Sequence, residues 1–209
     1  MFGFNKEELG IFRKLNCPRK VQDFLNEIPI NFENEGDTCI SPRRVLRENK
    51  AHCIEGAIFA AMALKLRGEK PLLVDLKASR DDFDHVVCVF KRHGKWGAIS
   101  KTNRPVLRYR EPVYRNIREL SMSYFHEYFD EKGRKSLRSY SVPVDLTNLD
   151  HMNWATSEED IWFVPEALNR ARHFPILDKN QIKNLRKPDD NELKAMKICD
   201  WDSVSGNRI

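Results

Sequence analysis

The apolar positions of this chain change their spacing along its length. In PRKVQDFLNEI, residues 18–28, Val21, Phe24, Leu25 and Ile28 fall on one helical face. Pro18 suits a first turn and Pro29 ends the helix. A shorter helix is expected over residues 6–15, and a loop over 30–40. Ser41 can cap, and Pro42 open, a basic helix running to about Asn49. The segment AHCIEGAIFAAMALKLRG, residues 51–68, is the most distinctive. Between Ile54 and Leu66 only Glu55, Gly56 and Lys65 are not apolar. A helix apolar nearly all round is a buried one, and Gly68 marks its end.

Strand signals follow. PLLVDLKA (71–78), HVVCVF (85–90) and KWGAIS (95–100) read as three strands, separated by the polar loop SRDDFD and the turn KRHG. Both faces of 85–90 are apolar, which places that strand inside a sheet. Helical spacing returns in 112–129, with Val113, Ile117, Leu120, Tyr124 and Phe125 on one face, and Gly133 breaks it. Residues 134–149 are ambiguous. Thr156 and Glu159 form a capping-box pattern at an expected helix start. The last twenty residues thin into a polar tail. This order of elements predicts an α+β fold.

Composition narrows the function classes. At 41% hydrophobic and 32% charged over 209 residues, the chain has the balance of a globular domain. The net charge of +5 is modest and acidic residues are interspersed, which argues against nucleic acid as partner. The five cysteines, Cys17, Cys39, Cys53, Cys88 and Cys199, are odd in number and contain no C-x-x-C pair. Neither a disulfide framework nor a zinc knuckle is expected, nor any metal or cofactor. No leader-like N-terminus and no run of about 18 apolar residues occurs, so no membrane is expected and the reducing cytoplasm is the expected location.

A cysteine reacts as its thiolate and needs a setting that lowers its pKa. Cys53 alone sits at the predicted start of a helix, where free amides and the helix dipole favour negative charge. His85 opens an apolar strand after an acidic loop, at a strand end where a base can reach a cleft. His52 adjoins Cys53, but neighbouring helical residues diverge by about 100°, which predicts that it points elsewhere. A third group must orient the imidazole. If Phe90 and Lys95 close the turn, paired numbers sum to 185 and His85 faces Ser100. A shift of two puts Thr102 opposite and keeps Ser100 diagonal, and a shift of one breaks the arrangement.

The order of Cys53 at a helix start, His85 opening the second strand and Trp96-Gly-Ala-Ile-Ser100 on the third resembles the transglutaminase-like superfamily of papain-like cysteine enzymes. The lead-in VQDFLNEIPINFE…SPRRVLRENKAHCIEGA and the strand GEKPLLVDLKA resemble that family too, so the likeness spans about residues 20–105 of a single domain over 1–209. Residues 106–209 are then a largely helical extension placed to cover the cleft. The resemblance implies a nucleophile helix packed on an antiparallel sheet, and a thiol-based hydrolase or acyltransferase. It implies Cys53 as nucleophile, His85 as base and a peptide, isopeptide or small amide as substrate. The family usually places Asp at the position of Ser100, sometimes Asn. Asn103 is the alternative orienter, Asp82 or Asp84 are candidates to supply charge from the loop, and the departure opens a second reading, an inactive domain of this fold that acts by binding. The basic runs Arg43, Arg44, Arg47, Lys50 and Arg104, Arg108, Arg110, Arg115, Arg118 read as solvated or docking helix faces.

Overall fold

The computed structural model describes residues 2–130, 132–196 and 198. Cys199 and the residues after it lie outside them. Four helices come first: α1 (Lys6–Lys14), α2 (Pro18–Glu27), α3 (Pro42–Glu48) and α4 (Cys53–Lys65). The strands β1 (Leu72–Ala78), β2 (His85–Arg92), β3 (Lys95–Ile99) and β4 (Arg110–Tyr114) follow, then α5 (Ile117–Phe125). The chain continues through β5 (Leu137–Ser141), β6 (Val144–Asp145), a 3-10 helix (Leu146–Met152), α6 (Phe163–Arg170), β7 (His173–Pro175), α7 (Lys179–Lys183) and α8 (Asp190–Met196).

The strands form one antiparallel sheet in the order β4-β3-β2-β1-β5-β7, with β6 also on β1. The architecture is α+β, an antiparallel sheet flanked by helices. Alternation along β2 explains its all-apolar sequence: Val86, Cys88 and Phe90 join the core under α4, and Val87 and Val89 join the core under α5. α4 is buried along nearly its whole length, as its composition requires, and Phe12 and Phe24 stack on its Phe59 with ring centroids 5.0 Å apart in each case.

The second half of the chain corrects the expected largely helical extension. It supplies β4, β5, β6 and β7 to the same sheet as the first half. The expected helix over 112–129 is shorter, α5, because Asn116 caps it through Glu119 N at 2.9 Å. The residues before the cap pair with β3 instead. A Cβ on Gly97 would lie 2.7 Å from Arg110 O, so the bare glycine lets β4 approach, and Pro112 is tolerated because β4 is an edge. The expected capping box at Thr156 and Glu159 does not form. Thr156 Oγ1 bonds Asn153 Oδ1 and Phe2 O, and α6 begins at Phe163 with Pro165 in its first turn.

The β2–β3 hairpin corrects the expected register by two. His93 and Gly94 both have positive φ, 49° and 76°, so the turn has two residues rather than four. Lys91 and Arg92 therefore stay in the ladder, opposite Trp96 and Lys95, and Cys88 faces Ile99. The shift is even, so His85 and Ser100 remain on one face as diagonal neighbours.

Candidate active site

Cys53 is the first residue of α4. Its helix start is fastened by Glu55, two residues on, whose Oε2 accepts from His52 N at 2.9 Å. The thiol faces a cleft of about 210 Å³. Its lining includes His52, His85, Asn31 and Glu33, and also Phe83, Leu107, Tyr128, Phe129 and Met196. The last five of these belong to the second half of the chain or to the loop before β2, so connecting segments and α8 contribute to the wall.

The structure brings three of the expected residues together. Cys53 lines one cleft with the imidazoles of His52 and His85. Burial pushes the thiol pKa up, but the hydrogen-bonding capacity and charge of both rings outweigh it and lower it to about 5. His85 Nε2 lies 2.7 Å from Ser100 Oγ, and Ser100 Oγ donates to Leu107 O at 2.6 Å. A hydroxyl has one proton, and the carbonyl can only accept it. Ser100 must therefore accept from His85 Nε2–H, which leaves Nδ1 as the ring nitrogen available to the thiol.

Ser100 is held in turn by α2. Gln22 Nε2 donates to Ser100 O at 2.8 Å, and Ser100 N donates to Gln22 Oε1 at 2.9 Å. Next to it, the buried Lys101 turns its ammonium to Leu25 O, at 2.7 Å, and to Ile28 O, at the C-terminal end of α2. The alternative orienter and the two loop carboxylates take other parts. Asn103 lines the cleft, while Ser100 occupies the far ring nitrogen. Asp84 binds Lys77 Nζ at 2.6 Å and Ala78 N at 2.9 Å, and Asp82 binds Ser136 Oγ.

His52 is where the sequence reading fails. It was expected to point away from Cys53, yet it lines the same cleft. The 100° rule applies inside a helix, and His52 is the N-cap, with extended φ and ψ of −96° and −170°. Its Nε2 lies 3.0 Å from Thr38 O, 3.3 Å from Glu55 Oε1 and 3.4 Å from Glu33 Oε1. Burial alone would lower its pKa; the bonds and charges of Cys53 and Glu55 instead raise it to about 11.

Glu55 was also missed. It is fully buried and accepts from Asn31 Nδ2, Thr38 Oγ1, Ile40 N and His52 N. Burial pushes its pKa up, but His52 and the backbone N–H groups of Ile40 and His52 bring it down to about 2. A lone carboxylate in the most apolar helix of the chain was the available signal, since a buried charge must be paired.

The other cysteines differ. Cys39 and Cys88 are buried, and burial pushes both thiols far above their ordinary range. The first basic run is occupied by ion pairs: Arg43–Glu8 at 2.8 Å, Arg44–Asp160 at 2.7 Å and Arg47–Glu158 at 2.5 Å. In the second, Arg110 pairs with Glu127 and lies over the Tyr124 ring, 4.2 Å from its centroid. Among the described residues no three His, Cys, Asp or Glu side chains are grouped to hold a metal ion, and no helix is long and apolar enough to cross a membrane.

The fold is α+β, and Cys53 at the start of α4 and His85 at the start of β2 line one cleft. No protein-family model matches the chain, and no curated protein matches it in sequence.

Proposed function

We propose that this protein is a cysteine-dependent hydrolase or acyltransferase on a transglutaminase-like, papain-like core, acting on an amide or ester carbonyl. The observation that carries the reading is the chain of contacts Cys53, His85 and Ser100, with a lowered thiol pKa at one end and a fixed tautomer at the other.

The thiolate of Cys53 attacks the carbonyl carbon and forms a C–S bond. The resulting oxyanion lies by the free amides at the start of α4, Cys53 N among them. His85, protonated on Nδ1, gives that proton to the leaving nitrogen or oxygen as its bond to carbon breaks. A thioester remains. Water or an amine then attacks it, surrenders a proton to His85, and the C–S bond breaks to restore the thiolate. Peptide, isopeptide and small amide substrates all satisfy this scheme.

Incubation with p-nitrophenyl acetate tests it. The expected result is a burst of p-nitrophenolate with one acetyl group on the Cys53 peptide, absent in Cys53→Ala. Acetylation elsewhere, or none, overturns the enzyme reading. The neutral orienter Ser100 favours a second reading, a binding module of the same fold, and that module would give no burst.

A further inference from the structure

The negative charge that a serine cannot supply at position 100 is present on the other side of the sulfur. Resting on the thiolate reading above, we infer that the two imidazoles divide the work: His52, held by Glu55 and Glu33, is a permanent cation for the Cys53 thiolate, and His85 alone moves protons.

His52 Nε2 is surrounded by acceptors only, the Thr38 carbonyl at 3.0 Å and one oxygen each of Glu55 and Glu33 at 3.3 and 3.4 Å. None of the three has a proton to give, so that nitrogen keeps its own. Glu55 has no exposed side-chain surface and is fixed by donors from Asn31, Thr38, Ile40 and His52, so its charge is not free to leave. A buried carboxylate of this kind requires a cation, and the one in contact with it is His52.

The same contacts disqualify His52 as a shuttle. A base must release its proton in each cycle, and releasing it here would leave Glu55 buried without a counter-charge. His85 faces the opposite condition. Its far nitrogen rests on a neutral hydroxyl, so it can gain and lose a proton without stranding a charge. When the thiolate is consumed in a thioester, His52 still has Glu55 and Glu33 to neutralise it. In this arrangement Cys53 is charged by one histidine and served by the other, and Glu55 is a positioning residue acting through His52.

Alkylation by iodoacetamide across pH, followed on the Cys53 peptide, tests the division. His85→Ala loses one of the two rings acting on the thiol, so its midpoint should rise yet stay below the ordinary thiol range, while ester turnover falls about 100-fold or more. Glu55→Gln keeps the shape and removes the charge. Its midpoint should rise by about one unit or more, a roughly twofold or greater slowing of alkylation at pH 6. If Glu55→Gln does not fold, ¹⁵N spectra of the wild-type histidines replace it, and His52 should stay an imidazolium from pH 6 to 8. The inference is overturned by a low wild-type midpoint that His85→Ala alone restores to normal, by a Glu55→Gln midpoint equal to wild type, or by His52 titrating within that range. A wild-type midpoint in the ordinary thiol range instead overturns the enzyme reading beneath it.

Discussion

Ser100 accepts the Nε2 proton of His85 at 2.7 Å because its own proton is committed to Leu107 O at 2.6 Å. The position therefore needs a group that both donates and accepts. A hydroxyl does both, and a carboxylate only accepts. The serine is matched to a carbonyl that the loop after β3 places beside it.

Replacing Ser100 by Asp should therefore not improve the site. The carboxylate would face the Leu107 carbonyl across a buried contact, and stability should fall by about 1–3 kcal/mol. Ser100→Ala strands the Leu107 carbonyl and His85 Nε2 and should cost a similar amount. Ester turnover should fall about 10- to 100-fold in Ser100→Ala, with the thiol midpoint held by His52. Urea denaturation and the burst assay measure the two effects. A Ser100→Asp protein as stable as wild type and faster would remove this account of the serine.

Gln22 is predicted to matter for the site although it lies on α2, outside the cleft. It satisfies both backbone groups of Ser100 with its one amide. Gln22→Leu leaves a buried N–H and a buried C=O without partners, at about 1–3 kcal/mol each. Gln22→Glu keeps the acceptor but sets a carboxylate against Ser100 O, and should be no better. Should both variants melt within a degree or two of wild type, the clamp contributes nothing.

Much of this arrangement could be read from residue pattern alone, and the failures have physical reasons. The buried helix was evident because almost every position in 54–64 is apolar. Cys53, His85 and Ser100 were evident from their order and from parity, since any even shift of the hairpin keeps the last two on one face. The turn length was not, because KRHG has no strong breaker before Gly94, and His93 adopts the left-handed region that its neighbour makes available. The strands of the second half were hidden because β4, β6 and β7 are short and lie at or near edges, and in β4 the apolar Val113 is exposed while Arg110 and Pro112 take half-buried positions. His52 was misplaced by treating a cap as part of its helix.

Gly56 is predicted to tolerate no side chain. A Cβ there would lie 2.4 Å from Lys101 Cβ, and Lys101 is itself anchored at the end of α2. Relief would have to move either the nucleophile helix or the residue after Ser100. Gly56→Ala should destabilise the fold by about 1–3 kcal/mol despite alanine's better helix propensity. A variant of equal or higher melting temperature would show that Lys101 gives way freely.

The thiol and His52 should also leave a signature in stability against pH. Folding lowers the Cys53 pKa from its ordinary 9.0 to about 5, so its contribution is complete above pH 9 and is lost as pH falls towards 5. Folding raises the His52 pKa from 6.5 to about 11, so its contribution is complete below pH 6.5 and is lost as pH rises towards 11. Between 6.5 and 9 folding releases one proton at sulfur and takes up one at the ring, and the two slopes cancel. Glu55 adds nothing to this window, because its contribution is present above its ordinary 4.5 and is lost only as pH falls through about 2. Cys53→Ser removes the first contribution and keeps Glu55 beside His52. The difference in unfolding free energy between wild type and Cys53→Ser should therefore grow with pH across that range, with the wild type the flatter of the two. Urea titrations at closely spaced pH values measure it, and a constant difference would mean that the folded thiol is not ionised.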